Sequence, residues 1–275
     1  GKPVYQGILC HRYRWGQSQE GYWLGEIVVE YIKTALENAG VTIAPRAWTR
    51  VLYPNFPAGE DSGFRVTYKG NIIYPHALLG LTSDENKIIT QLSNLTIGRW
   101  FESNDTYACI LNSLQAEKLG VTGPAKIQIS GINFEVVGII DYDLLKSLRD
   151  LDGEHITPIE LNILPQMQKW EDHMDPADVL IVTYWSASNI FGGHTASISL
   201  KAENQSQITS IANRLFSILS TLEFYTCTNV DTGVGLISSK AVITVMGLEF
   251  QLVPLVIAMF SILNLILGSV YERRR

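Results

Sequence analysis

The residues that could do chemistry are few in this sequence, and the most suggestive string is GEDSG at positions 59–63. A serine nucleophile needs a base within hydrogen-bond reach and usually sits on a sharp turn between a strand and a helix. Ser62 instead lies in an acidic turn flanked by glycines, with no strand-to-helix elbow around it. The sequence therefore predicts no catalytic residue.

A second string, EDHMD at 171–175, brings carboxylates and an imidazole together, which are ligand types for divalent metals. The candidate ligands are Glu171, Asp172, His173 and Asp175, joined by Glu154 and His155 or by His194. Neighbouring residues of a helix point in different directions, and the string has no histidine pair four residues apart. A solvated acidic helix face is the favoured interpretation, and we expect neither a metal site nor a cofactor. His11 is interpreted as a strand residue with its hydrogen bonds satisfied.

Three cysteines, Cys10, Cys109 and Cys227, are too few and too scattered for a disulfide framework or a zinc site. Cys10 and Cys227 both lie in strand-like stretches, so they could form one disulfide in an oxidising compartment. The favoured alternative is three buried free thiols.

Arg99 follows a turn glycine and precedes two aromatic residues. A guanidinium there can hold a turn by donating to nearby carbonyls while its stem packs on Trp100. We interpret this role as structural and not as a binding site.

The composition describes a folded chain with an acidic surface. It has 275 residues, of which 46% are hydrophobic and 17% charged, and a formal charge of −6. An acidic body offers no favourable field for phosphate backbones, so a nucleic-acid partner is not expected. No basic segment followed by an apolar core opens the chain, so we expect no signal peptide and interpret the sequence as a fragment of a longer protein.

The end of the chain differs from the rest. Residues 250–271 carry no charge and are apolar all round a helix, and the apolar character begins near 243. A bilayer core needs about 20 such residues, so we predict a transmembrane helix over 243–271, in contact with membrane lipid. A basic cluster beside a span favours the cytoplasmic side, which Arg273, Arg274 and Arg275 mark, so 272–275 begins a cytoplasmic segment.

This orientation places residues 1–240 outside the cell membrane. Three Asn-x-Ser/Thr sequons then become candidate N-glycosylation sites, at Asn94, Asn104 and Asn204.

The outer part alternates helices and strands. Residues 19–40 have apolar positions three and four apart, as an amphipathic helix does, and so do residues 204–222. Shorter strands with glycine turns fill the middle, and helical pieces are predicted within 143–151 and 165–174. The fold class is therefore α+β: a discontinuous porter-like βαβ domain made by about 1–70 and 178–235, with an inserted β-rich subdomain at about 71–177.

Three strings in order, IGRWF with Asp105, ACILNSLQAEKLG and KIQISGINFEVVGIID, resemble the extracytoplasmic core domain of FtsX/MacB-like ABC-transporter permeases. The closing VPLVIAMFSILNLILGSVYERRR resembles the membrane helix that follows that domain. The resemblance spans nearly the whole chain and implies a mechanical part, not an enzyme.

The resemblance also implies partners: a cytoplasmic ATPase subunit, a second permease copy in a dimer, and an extracytoplasmic protein or lipid substrate. Two alternatives stay open from the residues alone. One is a membrane-anchored ligand-binding or sensor module, and the other, less favoured, is a tethered hydrolase.

Overall fold

A computed structural model describes residues 3–12, 23–50, 63–160 and 172–239. The chain divides into two units, residues 1–238 and residues 239–275. The predicted transmembrane helix at 243–271 and the arginines at 273–275 lie outside the described residues. Within the described residues, no helix combines the length and the apolar character that crossing a membrane requires.

Fifteen strands are present in the described residues. In chain order they are β1 (Gly7–Arg12), β2 (Val41–Arg50), β3 (Val66–Tyr68), β4 (Asn71–Ile73), β5 (Ala77–Leu81), β6 (Leu95–Gly98), β7 (Ala108–Asn112), β8 (Ala125–Ile129), β9 (Ile132–Ile140), β10 (Ile159–Glu160), β11 (Asp172–His173), β12 (Val179–Thr183), β13 (His194–Ala202), β14 (Leu222–Cys227) and β15 (Gly235–Ile237).

Six α-helices accompany the strands in the same residues. They are α1 (Glu26–Leu36), α2 (Glu85–Ile88), α3 (Ser113–Leu119), α4 (Tyr142–Ser147), α5 (Tyr184–Asn189) and α6 (Ile208–Ile218). Short 3₁₀ helices cover Thr90–Ser93, Pro176–Asp178 and Gln205–Gln207. The α+β class predicted from the sequence is confirmed.

A single large sheet organises the described part of the first unit. Its order is β15-β14-β1-β13-β2-β5-β12-β7-β9-β8-β3-β4, and β6 pairs with β9 as a thirteenth strand. The pairs β5–β12 and β7–β9 are parallel, and the other pairs are antiparallel. Strands β10 and β11 form a separate antiparallel pair.

Alternation along the strands gives the sheet two buried faces. In β5, Leu79 packs into a core under α2 and the 148–156 segment, while Leu78 packs on the other side. On that other side α1 and α6 cover one end of the sheet, and α3 and α5 lie over its middle. The first face is the one that carries the candidate site.

Local sequence signals place several elements correctly. The hairpin β3–β4 turns at Lys69 and Gly70, both with positive φ. In α3, Asn112 and Gln115 form a capping box, and Gly120 ends the helix in the left-handed conformation. Strands β8 and β9 flank the turn at Gly131, in agreement with the short strands and glycine turns predicted for the middle of the chain.

Other predictions need correction. The helix predicted over 165–174 is wrong at Asp172 and His173, which form β11 because their backbone pairs with Ile159 and Glu160. Residues 161–171 lie outside the described residues. Helix α5 follows β12 directly, with the Thr183 side chain accepting from the backbone N–H of Ser186, and it was not predicted from the sequence.

Candidate functional site

Arg46 is the centre of the candidate site, and β2 points it into the protein. Ala44, Arg46 and Trp48 alternate along the strand and face the same side of the sheet. Arg46 is only 2% exposed. A buried guanidinium needs a counter-charge and partners for its donors, because desolvation of an unpaired charge costs several kcal/mol.

Two carboxylates supply these partners. Arg46 donates from Nε and Nη2 to Glu85 Oε1, at 3.0 and 2.9 Å. Its Nη1 donates to Asp150 Oδ2. Glu85 opens α2 and Asp150 follows α4, so the guanidinium joins three segments that are far apart in sequence.

Asp150 is held by further donors. Its Oδ1 accepts from the Tyr5 hydroxyl at 2.8 Å and from the backbone N–H of Leu151 at 2.7 Å. Both oxygens of this carboxylate are therefore bonded. The cluster Tyr5, Arg46, Glu85 and Asp150, which we name the Arg46 network, ties the chain's first described segment, β2, α2 and the 148–151 segment together.

Burial shapes the electrostatics of the Arg46 network. Desolvation opposes the charge of Arg46, but the adjacent Asp150 and Glu85 carboxylates outweigh it and raise the pKa of Arg46. Burial raises the pKa of Glu85, and the neighbouring guanidinium offsets this only in part. Burial and the Asp150 charge raise the pKa of Tyr5.

His11 extends the polar layer on the same face of the sheet. Its Nδ1 lies 2.7 Å from the carbonyl oxygen of Arg12, and its Nε2 lies 3.3 Å from Asp152 Oδ2. The ring stacks on Tyr225 at 5.2 Å between centroids. The prediction that His11 is a strand residue is confirmed, but its hydrogen bonds are only partly satisfied. In the described residues Nδ1 has a partner, whereas the buried Nε2 has only the charge contact with Asp152.

The candidate metal ligands are only partly brought together. His155 and His173 lie 6.1 Å apart between ring centroids, and Glu154 Oε2 is 3.9 Å from His173 Nε2. His194 instead contacts Trp23, and Asp175 accepts from Tyr142 and Lys146. Glu171 lies outside the described residues, and in the described ranges no group of three or more such ligands could hold a metal.

His155 itself is held as a hydrogen-bond acceptor. Arg149 Nη1 lies 2.7 Å from its Nδ1, and an arginine can only donate. Burial, together with the charge of Arg149, lowers the pKa of His155. The imidazole therefore takes the neutral form with its proton on Nε2.

The favoured interpretation of three buried free thiols is confirmed, and the alternative of a Cys10–Cys227 disulfide is wrong. Cys10, Cys109 and Cys227 are free and buried. Although β1 and β14 are neighbours, Cys10 pairs with Phe224 and Cys227 with Gly7. The two thiols also face opposite sides of the sheet, with Cys10 under α1 and α6 and Cys227 in the core under α2.

Arg99 holds the turn after β6, as predicted, but mainly through a carboxylate. Its Nη1 donates to the carbonyl of Trp100 at 3.0 Å. Its Nη1 and Nη2 also donate to Asp105, at 2.6 and 3.0 Å, and Asp105 accepts the backbone N–H of Glu102 at 2.8 Å. The hydrogen bond from Arg99 lowers the pKa of Asp105.

We expect Asp105→Asn to destabilise the protein by about 0.5–1 kcal/mol at neutral pH, because it removes one charge from a bidentate but partly exposed pair. The depressed pKa means that the contribution is present above the unfolded pKa, about 3.9, and is lost as the pH falls through the lower folded value. Urea unfolding of the two proteins between pH 7 and pH 2 measures this difference.

Asp143→Asn is the matched control, since Asp143 is exposed in the first turn of α4. It should change stability less than Asp105→Asn at pH 7. A difference between wild type and Asp105→Asn that persists unchanged in acid would show that the carboxylate charge does not hold the turn.

The three sequon asparagines, Asn94, Asn104 and Asn204, are exposed in the structure. Asn204 also uses its side chain, whose Oδ1 accepts from the backbone N–H and the hydroxyl of Ser206. Modification at these positions stays a prediction. Ser62 lies outside the described residues.

The Arg46 network was not predicted from the sequence. One signal could have found it: residues 41–50 alternate as a strand does, and an arginine two residues from both Ala44 and Trp48 must share their inward face. The carboxylates offered no such signal, because Glu85 and Asp150 lie 39 and 104 residues away from Arg46 in sequence.

The fold is similar to solved structures. The periplasmic region of MacB from Actinobacillus actinomycetemcomitans matches with a TM-score of 0.54 and 10% sequence identity, over 84% of this chain and 91% of that chain. The extracellular domain of the noncanonic ABC-type transporter YknZ from Gram-positive bacteria matches with a TM-score of 0.46 and 16% identity, over 85% of this chain and 100% of that chain. No protein-family model and no curated protein matches the sequence. The first likeness confirms the predicted resemblance at the level of the fold: this chain is similar in architecture to the MacB periplasmic region.

Proposed function

We propose that this chain is the extracytoplasmic part of an ABC-transporter permease, which couples ATP hydrolysis in the cytoplasm to movement outside the membrane. The observation that carries the proposal is the likeness to the MacB periplasmic region over 91% of that chain. The movement would export a substrate or control an extracytoplasmic partner.

The sequence supports the membrane location in this proposal. Residues 250–271 are uncharged and are followed by Arg273, Arg274 and Arg275. A transmembrane helix over 243–271, with a cytoplasmic segment from 272, would place residues 1–240 outside. In this arrangement the chain is no enzyme itself, and its partners are membrane lipid, a cytoplasmic ATPase subunit and a second permease copy.

The described part of the first unit suits the transmission of motion. Its large sheet runs without a break from β15 to β4, so the porter-like portion (about 1–70 and 178–235) and the insert (about 71–177) would share one sheet. The Arg46 network adds bonds between segments from both portions. A part built in this way passes a displacement on with little internal bending.

A single introduced cysteine tests the location. Lys118 is exposed on α3, whereas Cys10, Cys109 and Cys227 are buried. In intact cells that produce the full-length protein, we expect a membrane-impermeant maleimide to label Lys118→Cys and leave wild type unlabelled. Labelling that needs cell lysis would place the domain inside and contradict the proposal.

The same variant tests the coupling. We expect a spin label at position 118, in the full-length protein purified with its cytoplasmic ATPase, to report a distance between two copies that changes with ATP and not with ADP. The permease function is overturned in favour of a tethered sensor if the maleimide labels the intact cells but the spin labels give no distance between two copies and no change with ATP.

A further inference from the structure

The Arg46 network contains more negative charge than Arg46 balances. Arg46 contributes one positive charge, and Glu85 and Asp150 would contribute two negative charges if both were ionised. All three side chains are at most 3% exposed. A surplus charge at such a site is costly, because burial removes it from bulk solvent and the described contacts provide no second cationic side chain.

The two carboxyl groups are not equivalent. Asp150 receives donors on both oxygens, from Arg46, Tyr5 and the Leu151 backbone. Glu85 receives both of its Arg46 donors on Oε1, and its buried Oε2 has no hydrogen-bond partner in the described residues. We therefore assign the surplus charge to Glu85, because the Asp150 carboxyl has hydrogen-bond donors on both oxygens and the Glu85 carboxyl has them on Oε1 alone.

A bound metal ion does not explain the orphan oxygen. The described residues hold no group of three carboxylate, imidazole or thiolate ligands with suitable spacing. The Arg46 guanidinium, moreover, already contacts the Glu85 carboxyl and would repel a second cation. A proton is the cation that suits this site, because it binds to the single oxygen Oε2 and makes the carboxyl group neutral.

We propose that Glu85 carries a proton in the folded protein at neutral pH and that this proton, which we call the latch, keeps α2 packed on the sheet. With the proton bound, Arg46 and Asp150 form a balanced pair, and Glu85 accepts two hydrogen bonds as a neutral acid. When the proton leaves, the site gains an uncompensated negative charge. This inference does not depend on the proposed transport function.

The groups that face Glu85 come from several elements. Arg46 on β2 and Asp150 on the 148–151 segment contact or neighbour it, and Tyr5 reaches the same cluster through Asp150. On the outer side, Asp84 and Lys87 pair with each other, and Lys201 of β13 donates to the carbonyl of Lys87. Only Arg46 favours ionised Glu85 directly, and burial outweighs it to raise the pKa of Glu85.

The latch would act on the segment around α2. This helix packs on β2 and β13, and its last residue, Ile88, is buried in the core together with Ile89 and Leu92, which follow it. The segment then leads into β6 and the Arg99 turn. Loss of the proton would weaken the attachment of this whole segment to the sheet, so an alkaline exterior would loosen it and a mildly acidic one would hold it.

The pH dependence follows from proton counting. The pKa of Glu85 is raised in the folded state, while an unfolded glutamate titrates near 4.3. Between these values the folded chain holds one more proton than the unfolded chain, so stability falls as the pH rises. The unfolding equilibrium constant should increase up to about tenfold per pH unit relative to a variant that lacks the group.

Glu85→Gln is that variant, because glutamine has nearly the shape of the protonated acid. We expect the full chain with Glu85→Gln to match wild type in mildly acidic urea unfolding and to become more stable than wild type as the pH rises. The matched control is Glu117→Gln on the exposed face of α3, which should follow wild type at every pH. The proposal is overturned if the ratio of the unfolding equilibrium constants of wild type and Glu85→Gln stays constant from about pH 5 to about pH 8.

Infrared spectroscopy gives a readout that does not need a stable variant. A buried protonated carboxyl has a carbonyl stretch that ionised carboxylates lack. We expect this band in wild type at neutral pH and in Glu117→Gln, and its loss in Glu85→Gln. Its absence from folded wild-type protein at pH 7 shows that Glu85 is ionised and refutes the latch, even if Glu85→Gln does not fold.

Discussion

Replacing Arg46 with methionine is expected to destabilise the protein by about 3–5 kcal/mol, because it leaves the buried Asp150 carboxylate without its counter-charge. The loss is a large part of the 5–15 kcal/mol that typically separates folded from unfolded domains. Urea unfolding followed by tryptophan fluorescence measures it, since the buried Trp48 and Trp100 lie in the same core as the Arg46 network. Arg214→Met, at an exposed position of α6, is the control and should change stability by less than about 0.5 kcal/mol.

A double variant tests whether part of this loss comes from the interaction of Arg46 with Glu85 and not from lost packing alone. Glu85→Met in the Arg46→Met background removes the carboxyl that Arg46 held and fills the space with an apolar side chain of similar length. We expect the double variant to lose less stability than the two single variants lose together, by at least about 1 kcal/mol. Strict additivity would mean that Arg46 and Glu85 do not interact in solution.

Replacing Gly98 with alanine should destabilise the protein by about 2–4 kcal/mol through backbone strain and crowding. Gly98 has a φ of +83° at the end of β6. A Cβ there would lie 2.2 Å from the carbonyl oxygen of Val137 and 2.9 Å from Cα of Gly138. Neither is a flexible side chain, so the strands β6 and β9 would have to separate.

Two other glycines divide this effect into its parts. Gly131 has a φ of +87° and open space around it, so Gly131→Ala should cost about 1 kcal/mol for the backbone conformation alone. Gly123 has open space without a positive φ, and Gly123→Ala should be near neutral. If chemical denaturation gives the same loss for Gly98→Ala and Gly131→Ala, the close approach of β6 to β9 does not limit residue 98.

The IGRWF string that supported the family resemblance now has a physical explanation. Gly98 allows β6 to approach β9, and Arg99 closes the turn on Asp105. Trp100 is buried and donates from Nε1 to the carbonyl of Thr82 at 3.2 Å, and Phe101 is buried beside it. The last four residues of the string each meet a packing or hydrogen-bonding requirement of this region, whereas Ile97 is exposed. These requirements are structural, which is why the string predicts a fold more firmly than a function.

The sequence by itself determined those elements whose stabilising contacts lie within a few residues. The capping box of Asn112 and Gln115, the stop at Gly120 and the turn at Lys69 and Gly70 each involve residues at most three or four apart. Propensity and capping act over that distance. The apolar alternation of β2 was equally visible, and so was the amphipathic pattern of α6.

Only the tertiary structure decided which of these elements are neighbours. The parallel pairs β5–β12 and β7–β9, and the pairing of Asp172 and His173 with β10, depend on backbone groups that are distant in the chain. The Arg46 network joins Tyr5 to Asp150 across 145 positions of sequence. A carboxylate at Glu85 looks like any surface acid until folding removes its water and brings Arg46 to it, because burial and charge pairing are properties of the assembled core and not of a local string.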